Sequence, residues 1–416
     1  MPTTSAPVPR RRRPSPRLVR AAVTALALAA AALAVSGGAA APVQAAEASA
    51  SNPLTRHIAS LQVGPGHEFR LLTVHPLFAS SLDAAPEDVH ATQDTLQDAL
   101  GFRGPGGGRR RPLRLDHLIE GRLLVLPGEV VRDEQVDVAV TEHVVVGPES
   151  HAELPLADVS EPAPKEEPRT ERRFLPGKLP PTLRWAVGPD APERDLADTL
   201  EDWAADAGLE DGRRSAVDLA QGAKIRDRVA DYQRALGSLS RAPLGLQTVG
   251  YAAVVDGAPV VVETFGDGKL FASAWPSLVQ ALAVEAAVLE SRGELLGEDI
   301  APSGQPDRFL APVRELLLQC FERDPETHAA RGTGRVIQVA TPLGVLRGVV
   351  LDKDRLVHTL LVTDPRRRGG GEGPDFDPGV ISRKARPTAA EQRWLDRRKD
   401  RNPPPPPPVP KPPNEQ

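Results

Sequence analysis

Apolar residues along this chain recur with two periods. From Val136 to Val146 valine occupies the even positions, with Glu142 the one exception, while Asp137, Ala139, Thr141 and His143 fall between. That period of two predicts a half-buried antiparallel strand, punctuated by Pro127-Gly128 before it and Gly147-Pro148 after it. A second strand candidate is "FRLLTVHPLF" at 69–78, followed by a polar helical stretch, "PEDVHATQDTLQDAL", at 86–100. Further on the period lengthens. Leu196, Leu200, Trp203 and Ala207 share one helical face, and Ile225, Val229, Tyr232 and Leu236 share another. "QTVGYAAVVDGAPVVVETFG" predicts a hairpin turning at Asp256-Gly257, a dipeptide that tolerates the positive φ angles of a tight turn. Helices are expected at about 275–291 and 306–322, then three strands within "RVIQVATPLGVLRGVVLDKDRLVHTLLV". The order predicts an α+β fold: an antiparallel β-rich N-terminal part followed by a helix-covered antiparallel sheet.

Breaks in the pattern divide the chain. Residues 1–45 read as a signal peptide, 52–160 as the β-rich region, 161–192 as a proline-rich charged connection, 193–363 as the α+β region and 364–416 as a disordered proline-rich tail. Within the first region "GFRGPGGGRRRP" reads as a loop, and its glycines lack the spacing of a phosphate cradle. The closing run "NPPPPPPVPKPP" favours a stiff polyproline II spacer.

Composition adds an address. Arg10 to Arg13, Arg17 and Arg20 precede the apolar run "AAVTALALAAAALAV", and small residues follow, so export with cleavage near Ala45 is expected, by the Sec route rather than the twin-arginine one. Retention of the leader as a membrane anchor is the other reading, though the run is short of the ~20 apolar residues that a span wants. Loss of the six leader arginines takes the net charge from −5 to −11, which argues against nucleic acid as a partner. The abundance of alanine, arginine and proline suits a GC-rich bacterial genome. Cys320 is the one cysteine, so no intrachain disulfide or cysteine zinc site can form, and its place on the stripe Phe309, Val313, Leu316, Leu317 reads as a core thiol.

Nucleophile-elbow and zincin motifs are absent from the sequence. Carboxylates are the better chemical candidates. Glu129 follows the Pro127-Gly128 turn, Glu142 interrupts the valine pattern as a pocket residue would, and Asp158 lies beyond the strand block. Gln135, His143, Glu263 and His358 are the binding candidates. No metal and no cofactor are expected.

"FRLLTVHPLF", "LLVLPGEVV", "VVVGPESHAELPL" and "GYAAVVDGAPVVVETFGDGKLFASAWPSLVQALAVEA" together resemble a bacterial domain family named for its association with ADP-ribosylglycohydrolases and with rhodanese and phosphatase superfamily proteins. The similarity runs from about residue 60 to 362. Gly128, Glu129 and Gln135 match the family's first polar signature, whereas Pro155 to Ser160, "PLADVS", replaces both the cysteine and the glutamate of its second. The resemblance implies descent from ADP-ribose or NAD-linked processing, with its polar signature largely lost. The resulting expectation is an extracytoplasmic binding module, non-catalytic or with catalysis undemonstrated, for a small ligand or cell-envelope protein. The membrane would be a partner only through an uncleaved leader. A carboxylate-based hydrolase acting on an ADP-ribose-like or glycosidic bond is the alternative.

Overall fold

The computed structural model describes residues 52–80, 88–92, 95, 100–103, 113–118, 120–134, 136–160, 170–191, 195–209, 215–239, 242–292, 313–314, 317, 325–341 and 343–365. The leader, Gln135, Cys320, the glycine-arginine loop, the polyproline tail and most of 306–322 lie outside the described residues.

In chain order the first half supplies α1 (Pro53–Ser60), β1 (Gln62–Val63), β2 (His67–Phe69), β3 (Leu72–Ser80), β4 (Val89–Ala91), β5 (Leu100–Arg103) and β6 (Leu113–His117). Then come β7 (Arg122–Val125), β8 (Glu129–Glu134), β9 (Val136–Val140), β10 (Val144–Val146), β11 (Ser150–Leu154), β12 (Leu156–Asp158) and β13 (Thr170–Lys178). The second half supplies α2 (Pro181–Val187), α3 (Asp195–Ala207), α4 (Arg226–Leu236), β14 (Leu246–Val255), β15 (Ala258–Phe265) and α5 (Gly268–Ser291). Five strands close the fold: β16 (Glu326–Ala329), β17 (Arg331–Gly332), β18 (Arg335–Thr341), β19 (Gly344–Leu351) and β20 (Arg355–Thr363).

The fold is α+β, and the pairing is antiparallel except for β4 with β7 and β10 with β17. One nine-stranded sheet runs β1-β3-β14-β15-β20-β19-β18-β16, with β2 hairpinned onto β3. It draws strands from both sides of the 161–192 stretch. Three smaller sheets, β17-β10-β7-β4, β11-β6-β5 and β12-β9-β8-β13, make up the strand block.

The central strands β3, β14, β15 and β20 of the large sheet are buried on both faces, and this explains their near-continuous apolar runs, whereas the edge strand β16 is exposed. Along β14, Tyr251, Ala253 and Val255 join the core under α2 to α5, while Ala252 and Val254 join a second core with Leu54 and Ile58 of α1. Helix α5 starts at Asp267, whose carboxylate accepts the Lys269 N–H at 2.8 Å. It is predominantly apolar because it is the central core helix: Leu278, Leu282, Ala283, Ala286 and Val288 have no exposed surface, and the buried Glu285 is satisfied by the Thr182 N–H and hydroxyl. The hairpin forms where the sequence places it, with Asp256 and Gly257 at φ +48° and +77°. The amphipathic helices likewise form as α3 and α4.

Three expectations need correction. The valine run is two strands in two sheets, not one half-buried strand: β9 is buried on both faces, and Thr141 to His143 carry the chain from its sheet to that of β10. The polar residue inside β9 is internally satisfied. Asp137 accepts two bonds from Arg132 (2.7 and 3.0 Å) and one from the Ser215 hydroxyl (2.7 Å), so alternation here marks pairing rather than solvent. Secondly, the stretch read as a connection holds β13 and α2 from Thr170 onward; its charges enter ion pairs, such as Arg172 with Asp133 at 2.6 Å. Thirdly, Val89 to Ala91 within the polar helical stretch pair as strand β4 against β7.

Candidate functional site

The most concentrated chemistry among the described residues lies where β15, β20, β13 and α2 meet. Glu263 stands mid-strand on β15, directly paired with Tyr251 of β14, and has no exposed surface. Its Oε2 accepts the Arg184 guanidinium at 2.8 Å and the Tyr251 hydroxyl at 2.8 Å. Its Oε1 accepts the second Arg184 N–H at 3.1 Å and His358 Nε2–H at 3.0 Å. The Lys178 ammonium stands 3.7 Å from Oε1, beyond hydrogen-bond length. Behind His358 comes His143, with its Nε2 at 2.8 Å from His358 Nδ1. The rings of Phe265, Phe271 and Trp275 wall this region, Phe265 lying edge-on to His358 at 4.6 Å between centroids.

Local sequence explains the convergence. Pro180 and Pro181 open α2 immediately after β13, so Lys178 and Arg184 are brought to the same side of the sheet by a single short turn. Gly128 allows the approach of Arg184: its φ is +85°, and a Cβ there would lie 2.6 Å from Arg184 Cγ. Glu129, next in sequence, is the register partner of Lys178.

Electrostatics separates the two carboxyl groups. For Glu263, burial opposes the charge, but Arg184, Lys178 and His358 outweigh it and hold the group well below the usual carboxylate range. For Glu129, burial wins over Lys178 and the bonds from Thr92 and Leu126, and its pKa rises. Burial also lowers the Lys178 amine against the pull of Glu263 and Glu129. Arg184 stays charged because Glu263 and Tyr251 overcome the cost of its burial. His358 falls to about 4, chiefly through burial, with Glu263 pulling the other way.

Of the sequence candidates, Glu129, His143, Glu263 and His358 gather in this cluster. Glu142 does not. It points out of the β9–β10 turn, 38 % exposed, and pairs with Arg331 at 3.6 Å, while its neighbour His143 turns inward. The turn between sheets, not a pocket, interrupts the valine pattern. Asp158 sits on β12, separated from the Glu129 strand by β9. Lys178, Arg184 and Tyr251 are members that the residue pattern did not single out. Lys178 had one available signal, as one of 8 lysines in a chain with 51 basic residues.

A recess of about 20 Å³, room for about one water, lies beside Gly177, Lys178, Leu179, Ala216, Gln280 and Val284. The Lys178 side chain has no exposed surface, so the recess meets that residue through its backbone. No group of histidine, cysteine, aspartate and glutamate among the described residues has the geometry of a metal site.

No curated protein and no solved structure gives a significant match to the chain. A family model does match, over residues 198–362, a segment that contains Tyr251, Glu263 and His358 but not Glu129, His143, Lys178 or Arg184. That model is of the ARG and Rhodanese-Phosphatase-superfamily-associated Protein domain, to which the chain is similar over residues 198–362.

Proposed function

We propose that this chain is an exported, non-catalytic binding or scaffolding module, in which the Glu263 cluster serves cohesion rather than turnover. The observation that carries this reading is the complete internal use of the Glu263 carboxylate. Arg184, Tyr251 and His358 occupy both oxygens at zero exposure, leaving no lone pair for a substrate to meet. The leader with its basic and apolar regions supports export, and an extracytoplasmic module of this kind would bind a cell-envelope protein or a small ligand on its outer surface. The purified protein, incubated with NAD, ADP-ribose and an ADP-ribosylated peptide, is expected to yield no product by chromatography. Formation of product from any of the three would overturn the non-catalytic reading. Export is tested on fractionated cells: a mature form beginning near Ala46 outside the membrane supports it, and a full-length cytoplasmic form contradicts it.

The divergence between Glu129 and Glu263 favours a second reading. Carboxyl groups driven apart in pKa by their surroundings are the arrangement that general acid and base roles require. On that reading the chain is a carboxylate-based hydrolase of an ADP-ribose-like or glycosidic bond, with Glu129 as the acid. Glu129→Gln would then abolish product formation in a protein that remains folded.

A further inference from the structure

The His143–Glu263 hydrogen-bond chain has a direction that its atoms impose. Ionised Glu263 can only accept, so His358 Nε2 carries hydrogen and its Nδ1 is the bare acceptor. His143 Nε2 must then donate to that Nδ1, which leaves His143 Nδ1 as a buried lone pair with no hydrogen-bond partner. Both rings are neutral in this arrangement. A first added proton makes His358 doubly protonated and shifts the His143 hydrogen to Nδ1, where it has no acceptor. A second would set two N–H groups against each other across 2.8 Å.

Charges around the pair do not absorb these protons. His143 faces His358 of β20, Glu263 of β15, Arg347 of β19 and Arg184 of α2. His358 faces Glu263, Lys178 of β13, Arg184 and, on α1, His57. The one carboxylate in direct contact is already neutralised by Arg184, and Arg347 pairs with Asp190. His143 lies in the turn between β9 and β10, whereas His358 and Glu263 belong to the nine-stranded sheet, so the bond between the rings ties the strand block to that sheet.

We propose that the His143–His358–Glu263 chain is an acid-operated latch, which holds the Thr141–His143 turn against the nine-stranded sheet at neutral pH and releases it when the rings take up protons. This inference does not depend on whether the chain is exported. The sign follows from linkage. Burial lowers the folded pKa of both rings, so the latch is fully closed above the free imidazole value of ~6.5 and weakens as pH falls below it, towards about 4 for His358. With one proton taken up on opening, the open population rises about tenfold per pH unit below ~6.5 and little above it, or roughly 30-fold between pH 7.5 and 5.0.

Hydrogen exchange on the full chain reads this directly, after correction for the intrinsic pH dependence of the chemistry. Amides of Leu123–Val125 and Val144–Val146 are expected to exchange roughly 30-fold faster at pH 5.0, with those of β14 and β15 little changed. The double variant His143→Gln, His358→Gln has no ring left to titrate at the latch, and is expected to flatten that difference. Unchanged exchange in the wild type, or an equal pH dependence in the double variant, would overturn the proposal. If the double variant does not fold, ring titration by NMR in the unaltered chain decides. Charging of His143 and His358 in step with faster exchange supports the latch; charging without it refutes the latch.

Discussion

Arg184→Met is expected to lower the unfolding free energy by about 3–5 kcal/mol, because it strands the Glu263 carboxylate in an apolar interior. Coulomb attraction alone does not make this pair stabilising, since each buried ion costs several kcal/mol to desolvate. What offsets that cost is the bidentate geometry at 2.8 and 3.1 Å, together with the bonds from Tyr251 and His358. Removal of one partner therefore costs more than removal of both. In a double-mutant cycle with Glu263→Gln, followed by urea unfolding, the two losses should fall short of additivity by about 1–3 kcal/mol. Strict additivity would mean that the two groups do not act as a unit.

Gly128→Ala is expected to destabilise by about 2–5 kcal/mol. A φ of +85° strains any L residue by about 1–2 kcal/mol, and the new methyl would stand 2.6 Å from Arg184 Cγ, adding an overpacking cost of about 1–3 kcal/mol. The neighbour here is a side chain whose far end is fixed on Glu263, so it has little freedom to retreat. Denaturant unfolding checks the loss. A change within 0.5 kcal/mol would show that Arg184 can move without breaking its pair.

The sequence discloses local structure better than the cluster, for reasons visible at particular residues. Asp256-Gly257 states its own conformation, and the leucine and valine faces of α3 and α4 state theirs. Lys178 and Arg184 do not, because a charged residue in a proline-rich stretch looks the same whether it meets solvent or a buried carboxylate. Asp137 misleads in the same way inside β9. The pairing of Tyr251 with Glu263 is hidden by a single residue. A regular hairpin closed by Val255 and Ala258 would set Tyr251 opposite Val262, but a bulge beside Ala253 and Val254 shifts the partner to Glu263. Pro259, which lacks an N–H, sits at that bulge. Since strand faces alternate, the shift decides whether Glu263 shares a face with Tyr251. His143 and Glu142 show the same sensitivity: one position separates the buried ring from the exposed carboxylate.

Cohesion rather than chemistry as the role of Glu263 is tested most directly by comparing Glu263→Gln with the wild type in one experiment. Unfolding free energy and turnover of NAD and ADP-ribose would be measured on the same samples, at a temperature where both proteins remain folded. The expected result is a loss of about 3–5 kcal/mol, from leaving Arg184 and Lys178 buried without their carboxylate, and no turnover by either protein. A wild type that turns over substrate, and a variant equally stable but inactive, would contradict it.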